Sequence, residues 1–123
     1  MGRPDSAFAV IRRRGRVLLV QTRRDRRWNL PGGAIERGEG PRRAARREIE
    51  EETGLAARIG GLAARHERHD GSYAYIFLAH VPRRARCAGP RHEIRRQRWM
   101  SLRKAFRALP RNARRRLRRA LTG

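Results

Sequence analysis

Two hydrophobic periods alternate along this chain. Ala7–Ile11 and Val17–Val20 are short apolar runs around Arg12–Gly15, and together they predict a β-hairpin. Ser72–Val81 is the clearest strand, with Tyr73, Tyr75 and Phe77 alternating with Ala74, Ile76 and Leu78. Asp70-Gly71, just ahead of it, is a hairpin turn signal. Ile94–Met100 reads as a short strand. Leu55–Arg65 is apolar enough for strand or helix, and Gly60-Gly61 favours a strand with a bulge or bend.

The helical period occurs twice. From Glu39 to Thr53, Ala44, Ala45 and Ile49 supply an apolar face, Gly40-Pro41 suit a helix start and Gly54 a C-terminal cap. Ser101 is an N-cap for a C-terminal helix over 101–121, with Leu102, Phe106 and Leu109 at helical spacing. Pro110 breaks or restarts it, and Ala113, Leu117, Ala120 and Leu121 continue the stripe. Pro31-Gly32-Gly33 punctuates the chain and is not helical, and Pro82–Pro90 reads as a loop.

Length sets the scale: 123 residues suit one domain spanning 1–123, with no linker. There are 33 basic and 11 acidic residues, a net charge of +22. That excludes an acidic mimic and favours polyanionic partners. Yet Lys104 is the only lysine, a bias that GC-rich arginine codons also produce, so function has to be argued from particular residues. Cys87 is alone, which excludes an internal disulfide and a multi-thiolate zinc site, and it reads as a passive loop thiol. Met1–Ser6 has no apolar signal core, and Ile76–Val81, interrupted by His80, is far too short to span a bilayer. The expectation is a cytoplasmic protein with no membrane partner, monomeric or homodimeric.

The scarce charges are the informative ones. Six of the eleven acids fall between Gly33 and Leu55. Glu48, Glu51 and Glu52 share one helix face, where like charges cost roughly 0.2–0.5 kcal/mol per pair. A cation must compensate: Arg47 is one candidate, a divalent ion the other. Carboxylates without Cys or His suit a hard cation such as Mg²⁺ or Mn²⁺. A solvated, salt-bridged helix face is the alternative for the glutamates alone. The wider spacing decides against it. Gly33, five residues, Glu39, seven residues, then Arg47-Glu48-Ile49-Glu50-Glu51-Glu52-Thr53-Gly54-Leu55 matches G-x5-E-x7-R-E-U-x-E-E-x-G-U, with U aliphatic. At average residue abundances a chance match is on the order of 10⁻⁸ per starting point.

On those residues the sequence resembles the Nudix hydrolase family, as a small MutT-like member. The resemblance implies an α/β fold: an α/β/α sandwich around a curved mixed β-sheet, with the box as loop-helix-loop. It implies Mg²⁺ or Mn²⁺ as cofactor, held by Glu48, Glu51, Glu52 and the carbonyl of Gly33. Arg47 is expected to position a box carboxylate, with Glu39, and Gly54 to serve the backbone. The reaction implied is metal-activated attack of water on a phosphorus of a diphosphate bond, with Glu51 or Glu48 as the base. Glu93, six residues before Trp99, matches the place of an extra loop glutamate near the metals in many relatives, which makes it a further candidate metal ligand and the outside candidate for the base; an ordinary salt bridge with a neighbouring arginine accounts for it equally.

The box does not choose the substrate. Arg23 and Arg24 precede the Trp28–Gly33 turn, where the family layout places the substrate's phosphates. Trp28 suits either base stacking or anchoring of the turn. Tyr73 stands where relatives acting on dinucleoside polyphosphates carry a tyrosine, and it is equally an aromatic strand residue. Two readings remain. One is a pyrophosphohydrolase of nucleoside di- or triphosphate derivatives, including oxidised nucleotides and dinucleoside polyphosphates. The other is an RNA-directed protein, either a 5′-end pyrophosphohydrolase or a nucleic-acid-binding module. It draws on Arg91–Gly123, which has 13 basic residues and one acid.

Overall fold

A computed structural model describes residues 2–122. The expected hairpin forms from β1 (Ser6–Arg13) and β2 (Arg16–Thr22). They pair only at the tip, Arg12 with Val17 and Arg13 with Arg16, and then splay apart. Beyond the tip, β1 takes new partners. It pairs antiparallel with β4 (Gly32–Ala34) and parallel with β6 (Tyr73–His80), which in turn pairs antiparallel with β5 (Arg58–Glu67). Strand β2 pairs antiparallel with β3 (Trp28–Asn29) and with β7 (Ile94–Ser101). The sheet is therefore mixed, and its single parallel pair requires a long crossover, which carries α1 (Pro41–Thr53).

Both faces of β1 are buried, so its sequence is continuously apolar rather than alternating. Ala7, Ala9 and Ile11 pack with Ala44, Ala45 and Ile49 of α1. Phe8 and Val10 pack on the opposite face, with Leu109 and with Ala113, Leu117 and Ala120 of α3 (Arg111–Thr122). Helix, sheet and helix thus form three layers, as the resemblance implied.

Helix α1 has the expected bounds. Gly54 ends it in the left-handed region, φ 75°, with its N–H donating to the carbonyl of Glu50. The undecided segment is a strand, β5, and its register with β6 slips around Gly60-Gly61. At the C-terminal end the helix over 101–121 is broken at Pro110 into two, α2 (Leu102–Ala108) and α3. Pro110 has no N–H and drives Leu109 to φ −74°, ψ 137°, which ends α2. Ser101 caps α2 as expected, its Oγ accepting from Lys104 N at 3.3 Å. No helix among the described residues is long and apolar enough to cross a membrane.

Candidate active site

The site lies where β4 meets α1. Gly32, with φ 155°, approaches β1 so closely that a Cβ there would sit 2.3 Å from the carbonyl oxygen of Ala7. Only glycine fits there, and its N–H donates to Glu52 Oε1 at 2.9 Å. Next to it, a Cβ on Gly33 would lie 2.8 Å from Glu48 Cδ, so the Glu48 carboxylate covers the Gly33 backbone.

Arg47 organises the remaining acids. Its Nε and Nη2 donate to Glu39 at 2.7 and 2.9 Å, a bidentate pair. Its Nη1 reaches Glu48 at 3.0 Å and Glu51 at 3.3 Å, and Glu36 lies 3.5 Å away. A further donation, to the carbonyl of Ala34 at 3.0 Å, ties the arginine to β4.

The carboxylates are tuned unequally. The Arg47 hydrogen bond holds Glu39 down to about 2. Burial pushes Glu48 up, against the pull of Arg47. Burial pushes Glu52 well above the ordinary carboxylate range, and the charges of Glu48, Glu51 and Glu93 add to that push. The Gly32 N–H opposes it only in part.

This donor set suits a hard divalent cation: oxygen-only, crowded, and short of positive charge at half-buried Glu52. Among the described residues, no three His, Cys, Asp or Glu side chains are already gathered as ligands. The glutamates lean instead on Arg47 and on Gly32 N–H.

Glu93 is near enough to act electrostatically on Glu52, and its carbonyl accepts from Arg23 N at 2.9 Å. Arg23, Arg24, Asp25, His92 and Glu93 share one cleft of about 600 Å³. The two arginines and Glu93 are thus brought together. Trp28 packs on the α3-side core, with the Arg98 guanidinium 5.9 Å from its ring. The turn-anchoring role is the one its contacts describe. Tyr73 opens β6, next to Ala74, which lies two strands across from Ala34 through Ser6; its hydroxyl donates to Glu67 at 3.2 Å and not to a box carboxylate.

Gln97 was missed. Its Nε2 donates to the carbonyls of Glu52 at 2.9 Å and Gly89 at 2.6 Å, which ties the end of α1 to the 82–93 loop. A lone neutral amide in Arg95-Arg96-Gln97-Arg98 was the available signal. Thr53 was missed too. Its hydroxyl donates to Ile49 O at 2.6 Å and accepts from Leu55 N at 3.1 Å, closing the helix end. Cys87 is half-buried, and burial pushes its thiol up, away from the reactive thiolate form.

The family model described as the NUDIX domain matches residues 2–121, and the chain belongs to that family, the Nudix hydrolases. Members of the family generally use divalent metals. The chain is 37% identical over 79 residues to a CTP pyrophosphohydrolase of Escherichia coli (strain K12), covering 60% of this chain and 58% of that protein. It is 32% identical over 103 residues to an RNA pyrophosphohydrolase of Sphingopyxis alaskensis, covering 82% and 62%. The matches thus span about three fifths of these curated relatives' lengths. Among solved structures, a NUDIX hydrolase from Nitrosomonas europaea superposes with TM-score 0.82 over 98% of this chain and 90% of its own. At 21% identity that likeness concerns the fold alone.

Proposed function

We propose that this chain hydrolyses a diphosphate bond in a nucleoside di- or triphosphate derivative, with Mg²⁺ or Mn²⁺ bound by Glu48, Glu51, Glu52 and the Gly33 carbonyl. The observation that carries this reading is the charge imbalance of the box. One guanidinium serves Glu36, Glu39, Glu48 and Glu51, while Glu52, half-buried, has only a backbone N–H. A bound divalent cation supplies Lewis acidity toward phosphate oxygens and toward the attacking water.

The chain's own residues do the rest. Arg47, locked by Glu39 and the Ala34 carbonyl, holds Glu48 and Glu51 facing the site. Glu51, its side chain 49% exposed, and Glu48, beside it across the Arg47 guanidinium, are the groups that accept the water's proton. Arg23 and Arg24, in the cleft with Glu93, hold the phosphates that do not react. Gln97 positions the end of α1 rather than touching substrate.

The test is a nucleotide panel with Mg²⁺ or Mn²⁺, scored by product identity. Turnover that Glu52→Gln and Glu51→Gln nearly abolish supports the assignment; turnover at the original rate in both variants refutes it. A second reading is an RNA 5′ end as substrate. It is favoured by the match to an RNA pyrophosphohydrolase over 82% of this chain, and 5′-triphosphorylated RNA belongs in the same panel.

A further inference from the structure

A second charged cleft lies on the α3 face, away from α1. It encloses about 210 Å³ between the chain ahead of β1, the β5–β6 turn and α3. Arg3, His66, Arg68, Asp70, Asn112 and Arg116 line it. That is smaller than the roughly 300–1,000 Å³ usual for larger organic ligands, and suits a compact group.

Its donors are unspent. Arg116 is only 9% exposed, and its buried Nε has no hydrogen-bond partner. Arg68 Nη1 donates to Ser72 Oγ at 2.9 Å, but its Nε and Nη2 are buried without partners. The acids nearby are engaged elsewhere. Asp70 Oδ1 accepts from Ser72 N at 2.9 Å and Ser72 Oγ at 2.6 Å, and Asp5 Oδ1 accepts from Tyr73 N at 2.8 Å. All four ion pairs among the described residues belong to Arg47, none to Arg3, Arg68 or Arg116.

Burial with unpaired N–H groups is costly, so codon drift does not explain this arrangement; drift places arginines on solvated surface. The Phe8 ring, 4.4 Å from the Arg116 guanidinium, offsets only part of the cost. Burial and the charges of Arg68 and Arg3 push Arg116 down to about 10. Burial pushes His66 down as well, reinforced by Arg119, Arg115, Arg116 and Arg68, so the local potential is strongly positive.

We infer that this cleft binds a phosphate group, with the guanidinium N–H groups of Arg68 and Arg116 as its donors. A phosphoryl oxyanion supplies the negative charge that the cleft's three arginines lack, and its oxygens meet the guanidinium edges that line the cleft rather than the enclosed N–H groups. The phosphate has two sources: free inorganic phosphate, or a second phosphate carried by the nucleotide substrate. The second source has a route, because a neighbouring cleft lined by Asp25 and Trp28 shares Asn112 and Arg116 with this one.

The test titrates inorganic phosphate into the full chain by calorimetry, at constant ionic strength and with EDTA. Without divalent cation, the box carboxylates repel the probe. We expect saturable binding with Kd near or below about 1 mM. Arg116→Gln and Arg68→Gln should each weaken it by about tenfold or more. Arg107→Gln, on the exposed side of α2, should leave it unchanged. Arg68 is only partly buried, so its variant keeps the test valid if Arg116→Gln fails to fold. Absence of saturation in the unmodified chain overturns the proposal. Equal weakening in all three variants also overturns it, because net charge would then be the cause.

Hydrolysis of a nucleoside triphosphate with and without a 3′-phosphate identifies the source. A KM increase in Arg116→Gln for the 3′-phosphorylated substrate alone marks a substrate-borne phosphate. Unchanged KM for both, alongside lost phosphate binding, marks the free ion. The titration needs no hydrolysis, so its failure and the failure of the proposed activity are distinguishable.

Discussion

Arg47 and Arg116 are both largely covered, each on a helix packed against the central sheet, and their surroundings are opposite. Arg47 meets four carboxylates and a carbonyl. Arg116 meets an aromatic ring and other arginines, and its Nε is unpaired. The same side chain is a clamp in one place and an open donor in the other. A net charge of +22 cannot distinguish these uses. The partners inside the fold can, and they separate the acidic site on the α1 side from the basic cleft on the α3 side.

The sharpest way to break the contrast is at the acidic end. Glu52→Gln should cut hydrolysis by at least about 100-fold, the scale of losing one preorganised electrostatic group. The melting temperature should stay the same or rise, because the amide removes a half-buried carboxyl that burial and three neighbouring glutamates disfavour as an anion. Joint loss of activity and of stability would make Glu52 structural instead. Arg47→Gln comes next in size. It leaves Glu39, Glu48 and Glu51 without their shared partner and should cost about 2–3 kcal/mol in urea unfolding. Arg47→Lys should recover less than half, since an ammonium cannot hold Glu39 bidentately and reach Ala34 as well. Full recovery by lysine would show that charge alone, not the fork, organises the acids.

How legible each side was follows from the kind of signal it carries. The box was readable residue by residue because its chemistry fixes both residue type and spacing, and α1 has the bounds that Gly40-Pro41 and Gly54 imply. The five longer strands were readable from period, and the bulge in β5 from Gly60-Gly61, whereas β3 and β4, two and three residues long, are too short to show a period. Strand partners were not. Nothing local says that β1 leaves β2 after two residue pairs and runs parallel to β6, a pairing more than sixty residues away in sequence. The basic cleft was hidden for a related reason. Arg3, Arg68 and Arg116 are distant in sequence and, among 32 arginines, indistinguishable until the fold gathers them around one cleft. Gln97 carried a signal of its own, a single neutral amide among arginines, but not one that says which carbonyls it joins.

A smaller effect separates Glu39 from the other acids by pH. Its carboxylate is held down to about 2 by Arg47, against an ordinary unfolded value near about 4.3. A depressed folded-state pKa contributes stability that is complete above the unfolded value and is lost as pH falls through the folded one. Glu39→Gln should therefore cost about 1.5 kcal/mol near neutral pH, the scale of one charge-assisted hydrogen bond. The difference between the two proteins should shrink steadily between about pH 4.5 and pH 2. A gap that stays constant over that range would mean the contact is packing rather than an ion pair.

The smallest expected effect is the one that most directly tests the comparison. Arg116→Met keeps most of the side-chain volume over Phe8 but deletes the buried, unpaired guanidinium. Replacing a buried unpaired charge by an apolar chain is stabilising, while losing the ring contact costs about 0.5–1 kcal/mol. The two oppose each other, so stability without added phosphate should change by less than about 1 kcal/mol in either direction. Deleting the guanidinium at position 47 costs several times that, although both arginines are largely covered. A loss above about 2 kcal/mol in Arg116→Met, the scale of a broken buried charge pair, would show that Arg116 is clamped in solution as Arg47 is. The cleft would then have no free donor to offer a phosphate, and the two faces would use arginine in the same way.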